Sequence, residues 1–369
     1  MDNYIPFMKL KGSEISAIIE IDPCDRSRVH PFFDFPRRDE KKTRDTLAEI
    51  KSKEENFLSA LTKTSSRMKK RLPEISSFYL DNFDLEDDLL PNGKNTYEQI
   101  IEKFGSLGMI PVVGLDRAAD HFNAIMGALV SGEFQHDRIA LRLTEDDFNS
   151  FELIEDELTE IFENCLNSFK EIDVVFDCRV MKEGDEVKLS SKIVDFIKKL
   201  DGTFYIDRVI VTGSTIPASI SNILGTKEDK AFARPECSLY DRIIAEYNFP
   251  PLLYMGDYTC VSPEYSDTDF YVEDMQNITT AKLMYPYSDK YDLEQQYILR
   301  GSRVKTDKTQ YGRLALMITN NSKNFYREAN FSFGDRFIYQ CAENIKTNAT
   351  PSSIVKPLIN LHLEYMINK

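Results

Sequence analysis

Tyr4-Ile5-Pro6-Phe7-Met8-Lys9-Leu10-Lys11-Gly12-Ser13-Glu14 reads as a short buried strand that runs directly into two lysines, a glycine and a glutamate. The same pattern, an apolar run ending in charged or polar residues, returns along the chain. It appears at Val29–Pro36, which ends around Asp34, and at Ser77–Asp81, Met109–Arg117 and Arg138–Leu143. It returns again at Asp173–Arg179, Arg208–Ser214 and Pro251–Tyr258. Helical spacing of apolar residues fills most of the intervals: Glu14–Glu20, Thr46–Leu61, Thr96–Phe104, Ala118–Val130, Phe148–Phe169, Val187–Leu200 and Arg234–Glu246. Continuous apolar strands alternating with helices imply a parallel sheet buried on both faces. About eight such repeats predict a TIM-barrel-like α/β fold, a closed (β/α)8 barrel, rather than an open doubly wound sheet.

The rhythm breaks after Tyr258. Residues 265–290 are rich in Tyr, Asp and Met, and apolar stretches follow at Tyr297–Gly301, Leu314–Ile318, Phe331–Ile338 and Ile359–Met366. The expected organisation is a barrel over residues 1–262 and a C-terminal extension, 263–369, packed on it as decoration rather than as a separate domain.

Composition narrows the function. The 369 residues are 42% hydrophobic and 29% charged, as in ordinary globular proteins. A formal net charge of -15 opposes nonspecific binding to nucleic acid, which relies on a basic footprint. No apolar run reaches the roughly 20 residues of a membrane span, and no signal-peptide order is seen. Six scattered cysteines, none in a CxxC pair, indicate neither zinc nor a disulfide framework, so reduced thiols and a cytoplasmic location are expected. No GxGxxG follows the first strand, and neither GxxxxGK[ST] nor HExxH occurs.

The order of several stretches resembles the beta protein family, named after a bacteriophage beta protein and also found in bacterial genomes. They are Tyr4-Ile5-Pro6 with Lys9, Lys11 and Glu14, then Ile110-Pro111-Val112-Val113, Ala140-Leu141-Arg142 and Val175-Phe176-Asp177. Thr212-Gly213-Ser214 with Pro217, Arg234-Pro235-Glu236, Gly256-Asp257-Tyr258 and Arg300-Gly301 follow. Near the C-terminal end stand Phe331-Ser332 with Gly334-Asp335 and Ile338, then Asn360 with His362-Leu363. The resemblance spans nearly the whole chain. The family usually places an aromatic residue, often Trp, before the Arg-Gly pair, whereas this chain has no tryptophan. The family name carries no reaction. What the resemblance implies is a setting in phage–host conflict, in anti-phage defence or in phage genomes.

In a parallel barrel the loops after the strands form the site. The residues ending each strand are therefore the candidates. Glu14, Asp81 and Asp177 are the expected catalytic acids. Lys9, Lys11, Arg142, Arg179, Ser214, Asp257 and Tyr258 are the expected ligand-binding residues. Asp34 also ends a strand at this face. The arginines suit bidentate grip of a phosphate and Lys11 adds a point charge. Asp81, Asp177 and Glu14 are oxygen ligands of the kind Mg²⁺ takes. Together these residues suit a phosphate-containing small molecule as ligand and phosphodiesterase or nucleotide-hydrolase chemistry. The competing reading is that charged strand ends are solvated or form ion pairs that fix barrel geometry, since a fold does not imply a function. For Arg142 a paired interior role weighs as much as a ligand contact. For Ser214 a ligand-binding hydroxyl is preferred over a nucleophile. His362 is expected on a packing face. The alternative function is a non-catalytic scaffold for a protein partner encoded nearby, with the Tyr-rich segment from Tyr265 to Tyr297 as its contact surface.

Overall fold

The first strand, β1 (Tyr4–Lys9), is buried along its whole length, as its unbroken apolar sequence requires. A computed structural model describes residues 4–369 except 41, 46–49, 72–74, 76, 267–270, 306, 308 and 345–348. Seven more strands join β1: β2 (Phe32–Asp34), β3 (Phe78–Asp81), β4 (Met109–Val113), β5 (Arg138–Thr144), β6 (Glu171–Val180), β7 (Arg208–Ser214) and β9 (Leu252–Asp257). They pair in parallel in that order, and β9 pairs with β1 to close an eight-stranded barrel. The chain therefore adopts the (β/α)8, TIM-barrel-like fold that its repeats predict.

Helices follow the strands on the outside. They are α1 (Gly12–Ile19) and α2 (Pro23–Arg26) after β1, α3 (Lys53–Arg71), α4 (Thr96–Phe104), α5 (Ala119–Ser131), α6 (Phe151–Asn164), α7 (Asp185–Thr203) and α8 (Pro235–Glu246). Two boundaries differ from the sequence reading. The helix expected over Thr46–Leu61 begins at Lys53 and runs to Arg71. Residues 46–49 lie outside the described residues. The long helix expected over Phe148–Phe169 is cut to Phe151–Asn164, because Cys165 leaves helical geometry at φ −139°.

The barrel interior is built by alternate residues of each strand. Ile5 and Phe7 of β1, Phe32 of β2, Tyr79 of β3, Val112 of β4, Ala140 of β5 and Val175 of β6 belong to one buried cluster. Phe7 stacks on Phe32 with ring centroids 4.3 Å apart. Gly256 makes room for that pair, since a Cβ there would press on the Phe7 ring and on Thr212. The residues that alternate with them, such as Leu141, Val174 and Phe176, face the helices instead.

The extension is more regular than its sequence suggests. It holds α9 (Val272–Ile278), β10 (Thr280–Ser288), β11 (Glu294–Arg303), α10 (Gln310–Thr319), α11 (Phe333–Ala342) and α12 (Val355–Ile367). β10 and β11 form an antiparallel hairpin, and β11 also pairs with β8 (Glu228–Ala233), a strand inserted between β7 and α8. This three-stranded sheet draws on both sides of the boundary at residue 262. The extension meets the barrel through α12, which packs on α1 and β1. Asn360 donates to the Ala17 carbonyl at 3.2 Å, and His362 meets Asp257 of β9 at 2.9 Å. Gly334 of α11 permits the close approach of α12, because a Cβ there would collide with the Pro357 carbonyl oxygen.

Of the Tyr-rich segment expected as a contact surface, residues 267–270 lie outside the described residues, and several of the remaining tyrosines are buried. Tyr285, Tyr287 and Tyr297 are buried, because β10 and β11 turn these rings into the core around Phe325. Tyr271 and Tyr291 remain exposed. Among the described residues no helix is long and apolar enough to cross a membrane.

Candidate binding cleft at the barrel mouth

Period-two alternation carries charge to the top of the barrel. On β5 the inward series Arg138, Ala140, Arg142 ends in a guanidinium, and on β6 the series Asp173, Val175, Asp177 ends in a carboxylate. Asp34 and Asp81 end β2 and β3 in the same layer. Arg142 donates to Asp34 at 2.6 Å, to Asp81 at 2.9 Å, to Asp177 at 2.6 and 3.1 Å and to Tyr258 Oη at 2.8 Å. Tyr258 in turn donates to Asp177 at 2.6 Å. A guanidinium has five donors, and these acceptors take all of them. Arg117 adds a fork to both Asp81 oxygens at 3.1 Å. Phe83 closes the network from above, with the guanidinium carbons of Arg142, Arg179 and Arg117 at 4.2, 4.7 and 5.3 Å from its ring centre.

The electrostatics follow from this packing. Burial pushes the Asp34 carboxyl up, and although Arg142 pulls it down, Asp84 and Asp81 leave it at about 6. Burial also acts on Asp81 and Asp177, but two arginines outweigh it at each and hold both below the ordinary carboxylate range. The backbone is strained at the rim. Arg179 sits at φ 51° beside a bulge in β6, and Thr259 at φ 55° directly follows Tyr258. Such conformations cost roughly 1–3 kcal/mol each and cluster at functional sites. The strain swings the Arg179 side chain back over the mouth, where it donates to the Pro263 carbonyl at 3.0 Å.

Beside this sealed centre opens a cleft of about 560 Å³, between the loops after β1, β7 and β9 and the hairpin and α12 of the extension. Lys9, Lys11 and Glu14 line it from the β1 side, and Thr280 and Lys282 of β10 face them. Lys9 is held, with its ammonium 3.1 Å from the Tyr265 ring centre and 3.7 Å from Asp84. Burial lowers its pKa to about 8, with Asp84 opposing and Lys11 adding to the shift. Lys11 and Lys282 have no ion-pair partner among the described residues. Glu14, in the first turn of α1, is only 4% exposed, yet its Oε2 has no hydrogen-bond partner among the described residues. Burial raises its pKa against the pull of backbone N–H groups, Lys11 and Lys9.

The structure thus divides the sequence-predicted residues into three groups. Arg142, Asp81, Asp177, Arg179 and Tyr258 meet at the central network. Lys9, Lys11 and Glu14 meet in the lateral cleft. Glu14 does not join Asp81 and Asp177, and among the described residues no three such groups gather where a metal could sit. The place between Asp34, Asp81 and Asp177 that would suit a cation is taken by the Arg142 guanidinium. Asp257 lies outside the mouth. It accepts from Arg234 at 2.5 Å, His362 at 2.9 Å and Tyr4 at 2.9 Å, in the layer joining barrel and extension. Ser214 is turned inward on its own loop, its Oγ accepting from Ile216 N at 3.0 Å. Arg117, Phe83, Asp84, Tyr265 and Lys282 were missed. The first three sit two to four residues past their strand ends, and that position is the signal that could have found them. Tyr265 and Lys282 come from the extension, where no strand-end rule applied.

A closed parallel barrel with a salt-bridged mouth and a lysine-lined cleft at the C-terminal ends of its strands makes this a (β/α)8-barrel protein with its candidate site at the usual face of that fold. The chain belongs to the beta protein family, whose model, described as Beta protein, matches residues 4–368. No curated protein matches the chain.

Proposed function

We propose that the lateral cleft binds a small phosphate-bearing molecule. The observation that carries this reading is the pair Lys11 and Lys282, cations without ion-pair partners among the described residues, on facing walls of a cavity in a chain of net charge -15. The cleft volume falls within the roughly 300–1,000 Å³ of small-molecule sites. Phosphate oxygens would satisfy both ammonium groups, and Lys9 adds a third. In this reading Arg142, Asp81 and Asp177 are positioning residues that hold the rim, and Glu14 is the acid available for hydrolysis of a bound phosphoester. The family resemblance supplies the setting, phage–host conflict.

The test is calorimetric titration with nucleotides, cyclic nucleotides and inorganic phosphate, alongside thermal melts and an assay of phosphate release. Saturation at a hundred times Kd is expected to add about 2.7 kcal/mol of stability. Lys11→Ala should abolish that gain while leaving the unliganded melting temperature nearly unchanged, because Lys11 is half-buried and has no ion-pair partner among the described residues. Binding by none of these compounds would refute the reading. It would favour the second one, a scaffold, which the sealed central mouth and the exposed hairpin residues Tyr291 and Leu293 support.

A further inference from the structure

The two walls of the cleft differ in charge. On the barrel side Lys9 and Lys11 share the lining with two carboxylates, Glu14 of α1 and Glu264 from the loop after β9. The hairpin side presents Thr280, Lys282 and Met284 at every second position of β10 and, among the described residues, no acid. Lys282 stands directly across from Arg300 of β11 in the antiparallel register. Like charges opposite one another on one face of a sheet destabilise it. Glu228 of β8 flanks Arg300 on the other side, but its carboxylate accepts from Gly225 N at 2.7 Å, and no ion pair with Arg300 forms among the described residues. Arg300 instead donates to two neutral acceptors, the Leu224 carbonyl at 2.6 Å and Thr280 Oγ1 at 3.4 Å. Desolvation lowers the Lys282 pKa, and Arg300 adds to the shift. The hairpin wall is thus a second cationic face, built against repulsion and facing the lysines of the barrel.

We infer that the ligand carries two phosphoryl groups, one met by Lys11 on the barrel wall and the other by Lys282, with Arg300 beside it, on the hairpin wall. This rests on the phosphate-binding reading above and names the ligand class within it. A single phosphoryl group at Lys11 leaves the contact between Lys282 and Arg300 uncompensated, and a second one brings the charge that relieves it. The net charge of -15 repels a more highly charged ligand at long range, so a preference for two phosphoryl groups has to come from cations in the cleft. A linked pair, as in a diphosphate, and a separated pair, as in a bisphosphate, share this chemistry.

The experiment titrates the full chain, at fixed ionic strength, with two matched pairs: inorganic phosphate against pyrophosphate, and fructose 6-phosphate against fructose 1,6-bisphosphate. In at least one pair the ligand with two phosphoryl groups is expected to bind about tenfold or more tightly, and which pair it is separates the linked arrangement from the spaced one. In Lys282→Ala that preference should collapse, while the single-phosphoryl ligands stay within about twofold. The change removes the like-charge contact with Arg300, so the unliganded melting temperature is expected not to fall. Lys290→Ala, the same loss of charge at the exposed hairpin tip, should leave the preference intact. Three results would overturn the inference. Both pairs could bind the wild type within about twofold of each other, which requires no variant to fold. Lys282→Ala could keep the preference or weaken all four ligands alike, which would place one phosphoryl group between the walls. Lys290→Ala could reduce the preference as much as Lys282→Ala, which would make it an effect of the overall field. If the wild-type protein binds none of the four, the phosphate reading itself fails, an outcome separate from the other three.

Discussion

Arg142 satisfies three buried carboxylates and a tyrosine at once, and its removal leaves negative charges with no water to solvate them. Breaking a buried pair by deleting one partner typically costs 3–5 kcal/mol. Arg142→Met is expected to lose about that much in urea unfolding, and Arg142→Lys to recover only part, because an ammonium lacks the planar fork. Buried carboxylates, in this network and beside Arg138 at the other end of the barrel, predict a pH profile. Asp34 and Asp173, both raised to about 6, bind protons more readily folded than unfolded, where the value is about 3.9. Their contribution is present below the unfolded value and is lost as pH rises through 6. Asp81 and Asp177 are depressed, so theirs is present above about 4 and lost as pH falls through their folded values. The melting temperature should therefore rise on acidification from pH 7.5 to about 5 and fall below about 4. Asp34→Asn should flatten the first limb, and an unchanged limb would rule out Asp34 as its source. At this scale the strand-end rule placed Asp34, Asp81, Arg142 and Asp177 at the mouth. It could not show that Arg142 is consumed by the acids, because register across the barrel decides that.

Barrel strands were legible because burial on both faces writes itself as an unbroken apolar run, as in Met109–Val113. β8 was not, because Glu228-Asp229-Lys230-Ala231-Phe232-Ala233 is a charged, half-exposed strand whose partner lies far along the chain. The hairpin strands hid for another reason. Their tyrosines read as surface, yet Tyr285 finds its phenol partner in Asp335, a residue of α11. At the α11–α12 contact the sequence did carry a signal, Gly334 within its quoted motif. Gly334→Ala forces the two helices apart and is expected to cost about 1–3 kcal/mol in chemical denaturation, the usual range for overpacking. A neutral effect would mean that α12 can shift without loss.

For the whole molecule, barrel and extension share one buried polar layer around Asp257, where Arg234, His362 and Tyr4 converge. A chain ending at residue 262 keeps Arg234 and Asp257 but loses His362 and the partner strand of β8. It is expected to lack a cooperative thermal transition in circular dichroism, and a sharp transition would show the barrel to be self-sufficient. The cleft was invisible in the sequence for the same reason, since its walls come from segments on both sides of that point. One consequence concerns the order of assembly. Tyr4 and Asp257 are 253 positions apart, and His362 follows Asp257 by another 105. Synthesis therefore makes the two edges of the sheet first and the side chain that seals their seam much later. A half-made chain can gather its strands but cannot lock them, which makes docking of α12 the late, committing event in folding.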